Sequence, residues 1–354
     1  MTAQPQQSSN KGLGKFVRRT LLALTPLLVF ALVYVVLDPF RVWHPYNGML
    51  VMPGDSVERN PNERFIALEG YKFYNGQQHY DSFIFGSSIS TTFLSGAWKR
   101  HLPDTARVYH FTAGSQTLSG IRDEVAYLLK HCPHFNHALI IMEEEILRRA
   151  TRYEETPYVP HYEVSPAITR LHFHRVFFNA YRDPDFFLYS LMPRRMVNRL
   201  LADGKLSLAR THRSDILNED YLIEEDSLAM NDPHQFYDVE RDWLVNMTPR
   251  PTAQVQAIDE TAEQTLRQIA ALLQQGGVDY RIIVPPRYKN PSLTAVDHAL
   301  LCEIMGADRV FDYSGDEELI NDVYTYYDGA HLLTWRCTQL IDRSYTEPTF
   351  TTPW

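Results

Sequence analysis

The sequence predicts an α/β protein whose parallel sheet is covered by helices on both faces and which is tethered by one N-terminal membrane-spanning helix. Three observations carry that expectation. Short apolar runs alternate with helical stretches over residues 81–149 and again over 252–345. The uncharged run Thr20–Leu37 (TLLALTPLLVFALVYVVL) follows a basic segment. A hydrophobic share of 44% over 354 residues is enough for one large domain or two modest ones.

Residues 1–19 read as a polar, cytoplasmic tail, and 20–38 as a transmembrane signal anchor. The apolar run can cross a hydrocarbon core of roughly 30 Å at about 1.5 Å per residue. Lys11, Lys15, Arg18 and Arg19 precede it, while Asp38 and Arg41 follow. The excess of basic residues before the span places the N-terminus inside and the rest of the chain outside, in a periplasmic or extracellular space. Pro26 falls near the start of the span, where its missing N–H costs least. Phe40, Trp43 and Tyr46 fall where an interfacial aromatic belt would sit. The run is long for the core of a cleaved signal, and no small-x-small site follows it, so an uncleaved anchor is expected.

Residues 39–80 read as an irregular lead-in. Ser82–Phe85 (SFIF) then reads as a buried strand, followed by GSS and a helix-like stretch through Trp98. Arg107–Phe111 is a second strand, Leu118–Lys130 an amphipathic helix and Ala138–Met142 a third strand. Residues 150–251 break the rhythm: they are aromatic- and Arg-rich, with helical pieces such as Arg194–Leu201, and read as a mostly helical insertion. From Thr252 a helix runs to about Gln275, where Gly276-Gly277 stops it. Tyr280–Val284 is a strand, Leu293–Met305 a helix, Arg309–Tyr313 a short strand, and a last helix follows DGAH, with residues 346–354 as a tail. Five strands and an insertion after the third suit a flavodoxin-like three-layer sandwich.

Composition excludes some functions. The net charge of −9 provides no basic face for phosphate backbones, so nucleic acid is not an expected partner. Cys132, Cys302 and Cys337 make an odd count without CxxC spacing, so neither a disulfide framework nor a zinc site follows from them. No cofactor and no metal are expected.

In an open α/β sheet, ligands bind beyond the carboxyl ends of the strands. The residues there are Gly86-Ser87-Ser88, Thr112-Ala113-Gly114-Ser115, Glu143-Glu144-Glu145, Pro285-Pro286-Arg287-Tyr288 and Asp328-Gly329-Ala330-His331. A serine hydroxyl needs a base in hydrogen-bond reach to become a nucleophile. Ser88 on a strand-to-helix turn would be exposed beside backbone N–H groups suited to an oxyanion. His331 can be the base, and Asp328, three residues earlier, can fix its tautomer. Gly114 lets the backbone approach closely and would offer a second N–H.

The order GSS…AGS…DGAH resembles the SGNH (GDSL-like) hydrolase superfamily. YDSFIFGSSIS resembles its Gly-Ser-Ser variant, which includes membrane-anchored D-alanyl lipoteichoic acid transfer proteins and related cell-surface acyl-modifying proteins. The resemblance covers residues 81–145 and 252–345. It implies Ser88 as nucleophile, His331 as base and Asp328 as orienting acid. The alginate O-acetylation branch is less similar, because its Asp-His pair precedes the serine. SGNH enzymes usually supply an Asn from the third block to the oxyanion hole; here Glu144 or Glu145 of MEEEIL would occupy that place, and an ionised carboxylate repels an oxyanion.

The expected function is a serine esterase or O-acyltransferase acting on a cell-envelope polysaccharide or polymer, with a membrane acyltransferase as a further partner. The alternative is an inactive relative that binds glycan or scaffolds a synthesis complex. Ser87, Glu144, Glu145, Arg287 and Tyr288 are candidate substrate contacts, with Arg287 suited to a phosphate or carboxylate. The histidines of HCPHFNH (His131, His134, His137) read as a surface loop, and His172 and His174 as structural. The insertion reads as a lid, a glycan groove or a second small core.

Overall fold

A computed structural model describes residues 7–38, 40, 42–43, 56–58, 63–151, 156, 158–182, 213–215, 220–222, 224–249, 255–290 and 293–346. Helix α1 spans Gln7–Leu37, strand β1 Ser56–Glu58 and α2 Glu63–Gln78. They are followed by β2 (Ser82–Gly86), α3 (Ser95–Lys99), β3 (Val108–Thr112), α4 (Leu118–His131), β4 (His137–Ile141) and α5 (Glu144–Arg148). The insertion holds α6 (Arg170–Tyr181), β5 (Arg213–Asp215), β6 (Tyr221–Leu222), α7 (Glu224–Asn231), a π-helical turn at Gln235–Glu240 and α8 (Asp242–Val245). The chain continues through α9 (Glu260–Gln275), β7 (Asp279–Val284), α10 (Ala295–Met305), β8 (Val310–Asp312), α11 (Glu317–Asn321) and α12 (Thr334–Thr346).

The main sheet has five parallel strands in the order β3-β2-β4-β7-β8. Phe85 pairs with Phe111 on one side and with Ile140 on the other. Because the strands run parallel, all their carboxyl ends lie along one edge. Side chains alternate between two cores, as a pleated strand requires. Phe83, Phe85, Tyr109, Phe111, Ile140 and Ile282 pack against α2, α4, α9 and α10. Ile84, Leu139, Ile141, Ile283 and Phe311 face Trp98, α12 and the insertion's Phe236, Tyr237 and Leu244.

Two elements differ from the sequence reading. The supposed irregular lead-in contains α2, a four-turn helix burying Phe65, Ile66, Ala67, Leu68 and Tyr71. Gly70 and Gly76 weaken its intrinsic propensity, and packing on the sheet decides its conformation. The insertion's β5 and β6 join β1 in a small antiparallel sheet. Strands of two or three residues are too short to display an alternating pattern. The expected helix Arg194–Leu201 lies outside the described residues, as do Tyr46 and residues 347–354.

One described helix is long and apolar enough to cross a membrane, over Gly12–Val36. Pro26 is internal to α1 rather than at its start, because the helix begins well before the apolar run. Beside it, Thr25 Oγ1 donates to Leu21 O at 2.9 Å. The helix ends at Asp38, whose φ of 41° turns the chain and whose carboxylate accepts from Val42 N at 2.7 Å and Trp43 N at 3.0 Å. Phe40 and Trp43 are not a free aromatic belt. Phe40, Val42 and Tyr34 join Phe65, Phe173, Phe177 and Tyr181 in a third core, and Trp43 stacks on His174 with ring centres 3.8 Å apart.

Candidate active site

Ser88 leaves the sheet through a turn that only a small residue can make. A Cβ added to Gly86 would fall 2.6 Å from Ser90 Cβ and 3.1 Å from Ile141 Cβ. Ser88–Thr92 then forms a 3₁₀ helix capped by Ser87, whose hydroxyl accepts from Ile89 N at 3.2 Å. Ser90 Oγ donates to Ser87 O at 2.7 Å and lies 2.9 Å from His110 Nε2. Since the Ser90 proton is committed to the carbonyl, His110 Nε2 must be the donor of that pair. His110 is fully buried, and its Nδ1 stands 3.9 Å from Asp220 of the insertion. Asp220 in turn accepts from Ser95 N and Ser95 Oγ. The insertion thus braces the turn that carries Ser88.

The last block meets that turn. His331 Nε2 lies 2.9 Å from Ser88 Oγ, and His331 Nδ1 lies 2.8 and 3.0 Å from the two Asp328 oxygens. Asp328 Oδ1 also accepts from Ala330 N at 2.8 Å and His331 N at 2.7 Å. Burial alone would raise the Asp328 carboxyl, but the His331 interaction and the two backbone donors outweigh it and hold it below the usual range. An ionised Asp328 keeps a proton on Nδ1 and leaves the Nε2 lone pair facing Ser88. The loop is held by Tyr237 Oη, which donates to Tyr326 O at 2.7 Å, and by Thr334 N, which donates to Asp226 at 2.8 Å. Ser88, Asp328 and His331 are each partly exposed, so a substrate can reach them.

The other expected contacts separate. Ser87 is buried and its hydroxyl donates to Glu143. Gly114 differs from expectation: its N–H donates to Glu63 Oε2 at 2.5 Å, at the start of α2, and is not free for an oxyanion. Glu144 binds Arg148 at 2.6 Å. Glu145 pairs with Arg287 at 3.3 Å, and Arg287 remains partly exposed. Tyr288 is not a surface contact. It is 3% exposed and packs on Tyr326 in the second core, because the chain re-enters the fold after the proline pair.

Glu143 is the site residue the sequence reading passed over in favour of its two neighbours. Met142 still hydrogen-bonds to Ile283 O, so Glu143 is the first residue to leave the sheet after β4. The available signal was this position, directly after the apolar run. It is 5% exposed. Burial pushes its carboxyl above the usual range, and the Ser87 hydroxyl and the Arg287 charge offset that only in part.

Elsewhere, Glu69, His161 and Glu163 gather within metal-binding reach. Lys72 Nζ already sits among them, 2.8 Å from Glu69 and 3.0 Å from Glu163. His161 Nδ1 accepts from Glu163 N at 3.0 Å, which leaves the proton on the nitrogen that would have to coordinate. The group is a partly exposed ion-pair cluster around Lys72. The three cysteines are unpaired. Cys132 Sγ contacts Tyr80 O at 3.3 Å, and His172 and His174 lie on α6.

Comparison with models of protein families finds no match, and neither does comparison with curated proteins. The functional reading therefore rests on the geometry of the site itself.

Proposed function

We propose that this chain is a membrane-anchored, extracytoplasmic SGNH-type serine esterase or O-acyltransferase acting on a cell-envelope polysaccharide or polymer. The observation that carries the reading is the aligned contact from Ser88 Oγ through His331 to Asp328 at the carboxyl edge of the parallel sheet. In chain order, the five strands lie as 2-1-3-4-5, the order of flavodoxin-like sheets. Its switch point is beside β2, whose end leads to Ser88.

His331 Nε2 takes the Ser88 proton as Oγ adds to an ester carbonyl. Collapse of the tetrahedral adduct expels the alcohol, which leaves with the proton that His331 returns. The acyl group is then on Ser88. Water gives hydrolysis, and a sugar hydroxyl gives transfer, with the same base acting on either. Attachment through α1 favours a substrate held beside a membrane, and a membrane acyltransferase partner would fit as acyl donor.

One observation favours the second reading, a silent relative that binds glycan or scaffolds a synthesis complex: Glu63 holds the Gly114 amide. The test is covalent labelling of the full chain in detergent micelles with a fluorophosphonate, read by intact mass. A single adduct, lost in Ser88→Ala and His331→Ala, is the expected result. Glu63→Ala would label faster if the carboxylate merely competes for that donor. Absence of labelling in both folded wild type and Glu63→Ala would overturn the enzyme reading and leave the binding one.

A further inference from the structure

The Glu143 carboxyl accepts directly from the hydroxyl of Ser87, the residue preceding Ser88, and β4, which delivers it, pairs directly with β2. Its Oε1 accepts from Ser87 Oγ; its Oε2 has no hydrogen-bond partner among the described residues. The charged or titratable groups facing it are Arg287 from the loop after β7, Glu145 on its own helix and His331 from the last loop. Arg287 forms no ion pair with it and is bonded instead to Glu145 at 3.3 Å. A buried carboxylate with one neutral donor and a like charge nearby is costly, whereas a carboxylic acid in that place is not.

We propose that Glu143 works as a neutral carboxylic acid, accepting from Ser87 through Oε1 and donating from Oε2 to the carbonyl oxygen that gains negative charge when Ser88 attacks. This rests on the serine-enzyme reading and deepens it. As the Ser88 Oγ–carbon bond forms, the carbonyl electron pair moves to oxygen and the serine proton goes to His331. Glu143 keeps its own proton throughout and only strengthens a hydrogen bond. A carboxylic acid held neutral in an apolar site is a known kind of oxyanion donor. It supplies a donor where the Gly114 amide is occupied. Its upward-shifted ionisation gives the sign of the pH effect: the rate falls as pH rises through that ionisation, because the carboxylate cannot donate and repels the oxyanion.

The experiment compares wild type, Glu143→Gln, Glu143→Ala and Ser87→Ala in the full chain, by fluorophosphonate labelling rate and by hydrolysis of a chromogenic acetate ester across pH. Loss of one oxyanion donor costs about 10²–10³ in rate, which is the expectation for Glu143→Ala. Glu143→Gln keeps a donor of the same length, so it should stay within about tenfold of wild type and lose the alkaline fall. Ser87→Ala should cost less than Glu143→Ala. The difference infrared spectrum of wild type minus Glu143→Gln near neutral pH should show a protonated carboxyl band. If Ser87→Ala matches Glu143→Ala, Glu143 acts only through the turn and the proposal falls. It falls equally if Glu143→Gln retains the alkaline limb or the protonated band is absent, while Ser88 labelling leaves the enzyme reading standing. Unlabelled wild type would remove both.

Discussion

At the scale of single residues, the site depends on how closely the chain can turn after β2. Gly86 has no room for a methyl group against Ser90 and Ile141, and Ser90 is itself locked between Ser87 O and His110. Gly86→Ala must therefore push the turn, and with it Ser88 Oγ, away from His331 Nε2. A misplacement of about 1 Å can cost on the order of 10²-fold in rate. The labelling rate of Gly86→Ala should fall by that order, with an overpacking loss of about 1–3 kcal/mol in denaturant stability. An unchanged labelling rate would show that the turn yields without moving the serine.

Among the elements, α10 is tied to β8 by a titrating pair. His298 Nδ1 lies 2.8 Å from Asp312 Oδ2, and His298 Nε2 is 3.5 Å from Cys302 Sγ. The Asp312 bond, with help from Cys302, raises the imidazole from 6.5 to about 10. A raised pKa means the folded state holds the proton more tightly. The pair's contribution is then complete below pH 6.5 and disappears as pH climbs towards about 10. Urea unfolding from pH 6.5 to 10 should show a loss of stability in wild type that His298→Asn does not share. Equal slopes would mean the pair adds nothing.

For the whole molecule, the apolar helix α1 and the sheet domain are not beads on a string. Tyr34 near the end of α1 packs on Tyr181 with ring centres 4.9 Å apart, and Phe40 packs on Phe177 at 5.4 Å. Part of the insertion packs in a small separate core, completed by residues from the end of α1 and the segment after it and by Phe65 of α2. Another part, through Phe236, Tyr237 and Leu244, closes the second face of the sheet. A chain beginning near residue 45 would strip Tyr34, Phe40 and Val42 from this core. Removing one large buried aromatic side chain costs about 3–5 kcal/mol. Thermal unfolding in the same detergent should give a clearly lower Tm for the shortened chain. Equal Tm values would show that the domain is independent of its anchor.

The sequence by itself determined the five strands, the helices α4, α9, α10 and α12 and the apolar N-terminal helix, because each is a local pattern of period or length. It also determined which residues stand at the strand ends, since parallel strands put all those ends on one edge. It read Ser88 from that rule, and Asp328 and His331, which stand well past the end of β8, from their spacing and the resemblance; the tertiary structure brings the three within hydrogen-bond distance. Only the tertiary structure decided the partners across long separations. Glu63 on Gly114, Asp220 beside His110, Glu143 under Ser87 and Tyr34 against Tyr181 join segments far apart in the chain, and no local spacing encodes them. The choice among three consecutive glutamates shows the reason most clearly. They are chemically identical in sequence, and burial together with its neighbours makes one the buried partner of Ser87, one the partner of Arg148 and one the partner of Arg287.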